Sequence, residues 1–205
     1  MYIYTFKAPS STDIHIARAL KNCYPHAHPK AKSPTLSSLY GYALLSYLVH
    51  THYGETENKA LLFSDAGKPY FPDSEVFFSL SHSESQIFCA LASFPVACDV
   101  QTHRKVSEKT MQRVLAKQEQ ADDFFVSWCL KECYVKLTDD LKAPFSKLNF
   151  HITGNTAQYE NFFGVLYREL PHITFALLAK QKFDAPKLNV VDEKTFFSYL
   201  LQKCT

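Results

Sequence analysis

No apolar run in this sequence approaches the roughly 18 residues of a membrane-spanning helix, so no membrane partner is expected. An excess of one charge is also missing: 22 Lys and Arg stand against 20 Asp and Glu, a net +2, which argues against a strongly basic nucleic-acid binder. Met1 to Lys7 lacks a basic segment leading into an apolar one, so no secretory leader is expected. Without that route to an oxidising compartment, the six cysteines (23, 89, 98, 129, 133 and 204) read as reduced thiols of a cytoplasmic protein. Low-complexity tracts and short repeats are absent as well. What remains is a chain of 205 residues, 46% hydrophobic and 20% charged, enough for one generous domain or two small ones around a real core.

Aromatic and branched residues from Tyr2 to Phe6 predict an opening strand. Ser10 to Asp13 then predict the cap of a short helix with Ile14, Ala17 and Leu20 inward. Prolines make 23–32 a loop; His26 and His28 lie in it without a third metal ligand at a recognisable spacing. Ser33-Pro34 reads as a helix start, and Leu36, Leu39, Tyr40, Ala43, Leu44, Tyr47 and Leu48 form one apolar stripe ending near Gly54. Lys30 and Lys32 precede that N-terminus, where unpaired N–H groups favour an anion, though taken alone they read first as two solvated loop lysines. Gly67-Lys68-Pro69 is a turn. Val76–Leu80, Gln86–Ala92 and Pro95–Val100 read as strands, the first two separated by the serine-rich stretch Ser79 to Ser85. In the third, Asp99 and Gln101 are two apart and share a face.

The most informative stretch is 124–137, a predicted helix. Phe125, Trp128, Cys129, Glu132 and Lys136 fall on one side of it, while Leu130, Tyr134, Val135 and Leu137 make much of the remainder apolar. Glu132 is then a carboxylate held near a core, which requires a cation, a metal or hydrogen-bond donors. Lys136, one turn on, suits a plain ion pair with it as well as it suits a site. Should the Asp99 face meet this helix, two carboxylates and an amide oxygen converge, hard donors of the kind Mg²⁺ takes. Further strands are expected at 145–152, 162–168 and 172–179, and a short capped helix from Asp192.

Four short segments, Gly67-Lys68-Pro69, Phe78 to Ser83, Ala97 to Gln101 and Trp128 to Glu132 with Lys136, resemble in order and separation the G-K-P, F-N-x-S-H-S, G-x-D-x-E and W-x-x-K-E-x-x-x-K motifs of the Sfp-type 4′-phosphopantetheinyl transferases. That resemblance implies an α+β fold, a monomeric pseudo-dimer of two similar α/β halves, with 1–96 carrying coenzyme A motifs and 97–205 the metal and catalytic motifs. It implies transfer of the phosphopantetheine arm of coenzyme A to a serine of an acyl or peptidyl carrier protein, with Mg²⁺ as cofactor. By similarity Asp99, Gln101 and Glu132 face the metal and Glu132 takes the serine proton. Lys136 serves the leaving phosphate, and Lys68, Ser81, His82 and more loosely Lys30 and Lys32 contact coenzyme A. Leu115 to Glu119 resembles a further family segment, with Glu119 expected as an exposed helix glutamate in at most a supporting role.

The sequence departs from the family pattern at three places. Gln101 replaces an acid, which removes one negative charge from the metal site; Glu84 stands where glycine often follows S-H-S; Ala97 replaces the glycine of G-x-D. The first two raise the alternative of a relative that binds coenzyme A or a carrier protein without transfer.

Overall fold

The computed structural model describes residues 1–23, 35–54 and 61–202. Elements run β1 (Tyr2–Lys7), α1 (Ile14–Cys23), α2 (Leu36–Tyr53), β2 (Leu62–Phe63), β3 (Pro69–Tyr70), β4 (Phe77–Ser83), β5 (Gln86–Ala92), β6 (Val96–Thr102), α3 (Glu108–Val114), α4 (Phe124–Thr138), β7 (His151–Thr153), β8 (Thr156–Tyr159), β9 (Phe162–Tyr167), β10 (Ile173–Ala179), β11 (Leu188–Val190) and α5 (Glu193–Gln202). Two main sheets result, one ordered β11-β1-β5-β4 and the other β6-β10-β9-β8-β7, with β2 and β3 as a separate hairpin.

Alternation along the strands builds three cores and four layers. From β5, Ile87, Cys89 and Leu91 join α1, α2 and α5 in one cluster, whereas Phe88, Ala90 and Ala92 turn the other way. There they meet Val96, Cys98 and Val100 of β6 with Phe175 and Leu177 of β10, so the sheets pack face to face. The set on the opposite face, Ala97, Ala176, Leu178 and Leu166, packs under α4 through Cys129, Leu130 and Cys133. Gly164 permits this approach: a Cβ there would lie 3.0 Å from a Leu130 methyl and 3.1 Å from the Leu177 carbonyl. The same alternation sends Asp99 and Gln101 toward α4.

Backbone pairing does not join β4 to β6; serines do. The hydroxyls of Ser79, Ser81 and Ser83 accept from the N–H groups of Cys98, Val100 and Thr102 at 2.9, 3.4 and 3.0 Å. The stretch expected as a serine-rich turn is therefore mostly strand, and the turn shrinks to Glu84 and Ser85.

Other expectations shift in register. Asp13 accepts from the N–H groups of His15 and Ile16, a start that turns Ile16, Ala19 and Leu20 inward and leaves Ile14 77% exposed. Thr35 caps α2, accepting from Ser38 N–H at 3.1 Å; Ser33, Pro34, His26 and His28 lie outside the described residues. Residues 145–147 form a single 3-10 turn, closed by Lys147 and Leu148 N–H groups, so β7 begins only at His151. β8 and β11 were not expected. β11 runs parallel to β1, and Val191, Phe196, Tyr199 and Leu200 enter the first core. Residues 188–202, expected with the second half, thus pair and pack with the first.

Candidate active site

α4 and β6 bring the expected acid and base residues together. Asp99, only 2% exposed, accepts at Oδ1 from Ser81 Oγ and from Lys136 Nζ, each at 2.7 Å, and at Oδ2 from the Gln101 amide nitrogen at 3.0 Å. Lys136 also donates to the Cys98 carbonyl at 2.9 Å, while its side chain stays 26% exposed. Rather than ending on Glu132 along its own helix, the Lys136 ammonium reaches across to the strand. Burial works to lower the Lys136 pKa, but Asp99, with the Cys98 and Cys133 thiols, raises it on balance. Burial first and Asp99 second raise the Glu132 carboxyl, partly opposed by Lys136 and by a hydrogen bond from Trp128.

Two adjoining cavities share Leu80, Glu132 and Lys136 as a common wall. The polar one, about 530 Å³, is lined by Ser81, His82, Glu84, Asp99, Gln101, Arg104 and Trp128. The other, about 250 Å³, takes Gly67, Lys68, Pro69, Phe78 and Asp139. Lys68 is presented by the β2–β3 turn: Gly67 adopts φ +91°, open to glycine at no steric cost, and Lys68 N–H donates to Ser64 Oγ at 3.0 Å. Burial lowers the Lys68 ammonium, with Asp139 opposing. His82 Nε2 lies 3.3 Å from Ser38 Oγ; burial and then Lys136 lower its pKa, with Asp99 opposing.

Asp99, Glu132 and, with its amide reversed from the orientation that donates to Asp99, the Gln101 carbonyl are hard oxygen donors, suited in kind to Mg²⁺. Among the described residues no group of three or more His, Cys, Asp or Glu side chains is arranged to hold a metal. Ser81 faces Asp99 and the serine seam, while its neighbour His82 faces the cavity. Lys30 and Lys32 fall outside the described residues.

No protein-family model matches the chain. It is 26% identical over 148 residues to the 4′-phosphopantetheinyl transferase gsp of Aneurinibacillus migulanus, spanning 63% of this chain and 62% of that protein. It is 27% identical over 113 residues to the 4′-phosphopantetheinyl transferase Sfp of Bacillus subtilis (strain 168), spanning 48% of this chain and 50% of that one. These matches support the Sfp-type 4′-phosphopantetheinyl transferase family. The chain covers less than two thirds of the length of either transferase.

Against the transferase motifs, one expectation is corrected. Glu119 is neither exposed nor helical: it follows a turn after α3, pairs with the fully buried Lys131, and accepts from Ser127 Oγ at 2.9 Å and Ala116 N–H at 2.6 Å. Lys131 further donates to the Val114 carbonyl at 2.7 Å, tying the segment after α3 to the helix that carries Glu132. Cys129 and Cys133 point their buried thiols at the Thr174 and Ala176 carbonyls of β10. Arg104 lines the polar cavity unforeseen; the cation just past the Asp99 strand was its one sequence signal.

Proposed function

We propose that this chain is a Mg²⁺-dependent 4′-phosphopantetheinyl transferase of the holo-[acyl-carrier-protein] synthase kind, moving the phosphopantetheine arm of coenzyme A onto a serine of an acyl or peptidyl carrier protein. The observation that carries the reading is Lys136 bound to Asp99 beside Glu132, on a wall shared by two cavities that also hold His82 and Lys68. In the reaction a bond forms between the serine oxygen and phosphorus, the bridging P–O bond of the pyrophosphate breaks, and 3′,5′-ADP departs with the electron pair. Glu132, whose carboxyl is raised by burial, accepts the serine proton directly or through water. Lys136 offsets charge on the departing phosphate, and Lys68 and His82 bind coenzyme A from the two cavity walls. A bound Mg²⁺, held by Asp99, Glu132 and the Gln101 carbonyl, would supply charge neutralisation at the pyrophosphate oxygens.

The reading extends to a cytoplasmic monomer whose two sheets, each with its long helix, are the halves of a pseudo-dimer divided near residue 96, with 188–202 returning to the first half. The test is incubation of the purified protein with coenzyme A, Mg²⁺ and a panel of apo carrier proteins, followed by intact-mass measurement. One carrier should gain the mass of the arm. No gain on any carrier, while a known transferase modifies the same panel, would overturn the proposal.

A further inference from the structure

We infer, building on that reading, that His103 is a positioning residue: stacked on Phe125, it fixes the far end of the cavity-facing side of α4 and so sets where Trp128 and Glu132 stand over β6. Ala97, Asp99 and Gln101 share the face of β6 that meets α4, and His103, just past the strand, continues their two-residue spacing. Along α4 the residues Phe125, Trp128, Glu132 and Lys136 follow one another at helical spacing on one side. At one end of these two stripes Lys136 bonds Asp99. At the other the His103 ring stacks on the half-buried Phe125, with centroids 4.4 Å apart and planes 10° from parallel. Gln101, Trp128 and Glu132 line the polar cavity between the two contacts.

The imidazole is itself held. The backbone N–H of His103 donates to the His172 carbonyl at 2.7 Å, prolonging the pairing of β6 with β10, and its Nε2 lies 2.8 Å from Oγ1 of the buried Thr174. From Phe125 the ring contacts continue edge-on to Phe124 at 5.2 Å and from Phe124 to Trp128 at 5.3 Å, and Trp128 hydrogen-bonds Glu132. Between the two end contacts β6 advances about 13 Å and α4 about 16 Å. The core beneath α4 keeps the helix on the sheet, but a single contact near its C-terminus leaves the turn of its N-terminal half over the cavity unset; His103 supplies the second. Lys68 and His82, the coenzyme A contacts of the proposed function, are carried by the β2–β3 turn and β4 rather than by α4, so the effect of His103 falls on the rate of transfer and not on binding.

The test compares the full chain with His103→Ala, His103→Phe, Phe125→Ala and the double alanine variant, measuring transfer to a carrier protein as coenzyme A is varied. His103→Ala should lower kcat about threefold to tenfold, the worth of one ring pair read as a rate, and move the coenzyme A KM by less than about twofold. His103→Phe keeps the stack and gives up the Thr174 bond, and it should recover most of the rate. The double variant should lose no more than either single one, because both remove the same contact. Trp128 is the sole tryptophan, so acrylamide quenching of its fluorescence, with no ligand added, reads the wall without reference to turnover. Quenching should rise in His103→Ala and return in His103→Phe. Parent-like quenching in a folded His103→Ala protein, a loss of kcat that His103→Phe leaves unrepaired, or a change confined to the coenzyme A KM would overturn the inference while leaving the transferase reading intact. No transfer by the parent to any carrier would overturn that reading and the effect on rate with it, and the quenching result would still decide whether His103 positions the wall.

Discussion

Ser81 donates to Asp99 Oδ1 at 2.7 Å while accepting from Val100 N–H, so its hydroxyl is committed to the carboxylate and the serine seam. Within the proposed function, that commitment makes the orientation of Asp99 the role to test for Ser81, beside the direct coenzyme A contact that the family motif implies. Ser81→Ala removes a hydrogen bond to a buried charge and should cost about 1.5–3 kcal/mol in denaturant unfolding. It should also raise the Mg²⁺ concentration needed for half-maximal transfer and leave the coenzyme A KM nearly unchanged. A raised coenzyme A KM with an unaltered Mg²⁺ requirement would return Ser81 to direct substrate contact.

Glu132 sits in a place that resists ionisation of its carboxyl, with burial as the main cause. A carboxyl raised in the folded state favours folding fully below its ordinary value of 4.5, and that contribution is lost as pH rises through the folded value. Glu132→Gln keeps an acceptor for Trp128 and removes the titration. Its Tm should match that of the parent in acid and exceed it progressively as the pH rises above 4.5, while transfer is abolished. A Tm difference independent of pH would contradict the assigned cause, and full-rate transfer by the variant would end its role as base.

How far the site could be read in advance depended on the range of the interactions. The α4 periodicity and the two-residue spacing of Asp99 and Gln101 are local, and they place Glu132, Lys136 and Asp99 together once one face is apolar. Ser79, Ser81 and Ser83 carried a period-two signal too, but serine favours turns by composition, and that preference masked the strand. The Glu119 to Lys131 pair spans an irregular segment with no fixed spacing, so nothing local announces it. The pairing of Leu188 with Ile3 joins opposite ends of the chain in parallel, a contact that hydrophobic pattern alone leaves undetermined.

Lys131 has no exposed side-chain surface, and Glu119 is its counter-charge. Glu119→Ala leaves that ammonium with the Val114 carbonyl alone and should destabilise the fold by about 3–5 kcal/mol. Adding Lys131→Met should recover much of the loss, since an apolar side chain of similar length fills the same volume. A double variant no more stable than Glu119→Ala would mean that the pair acts through geometry rather than charge.

Glu84 combines two costs at one position. Its φ of +54° lies in the left-handed region, which disfavours a non-glycine residue by roughly 1–2 kcal/mol, and its carboxylate lines the polar cavity. Glycine removes the backbone strain but loses about 0.4–1 kcal/mol in unfolded-chain entropy, so Glu84→Gly should stabilise by between about 0 and 1.6 kcal/mol. Its larger effect should be on the ligand: with one carboxylate fewer facing the phosphates, coenzyme A should bind about threefold to tenfold more tightly at low salt. Because Glu84 is exposed, screening should shrink that gain as ionic strength rises. Calorimetric titration of parent and variant at two salt concentrations checks both halves, and an unchanged affinity at low salt would place the phosphates away from this turn.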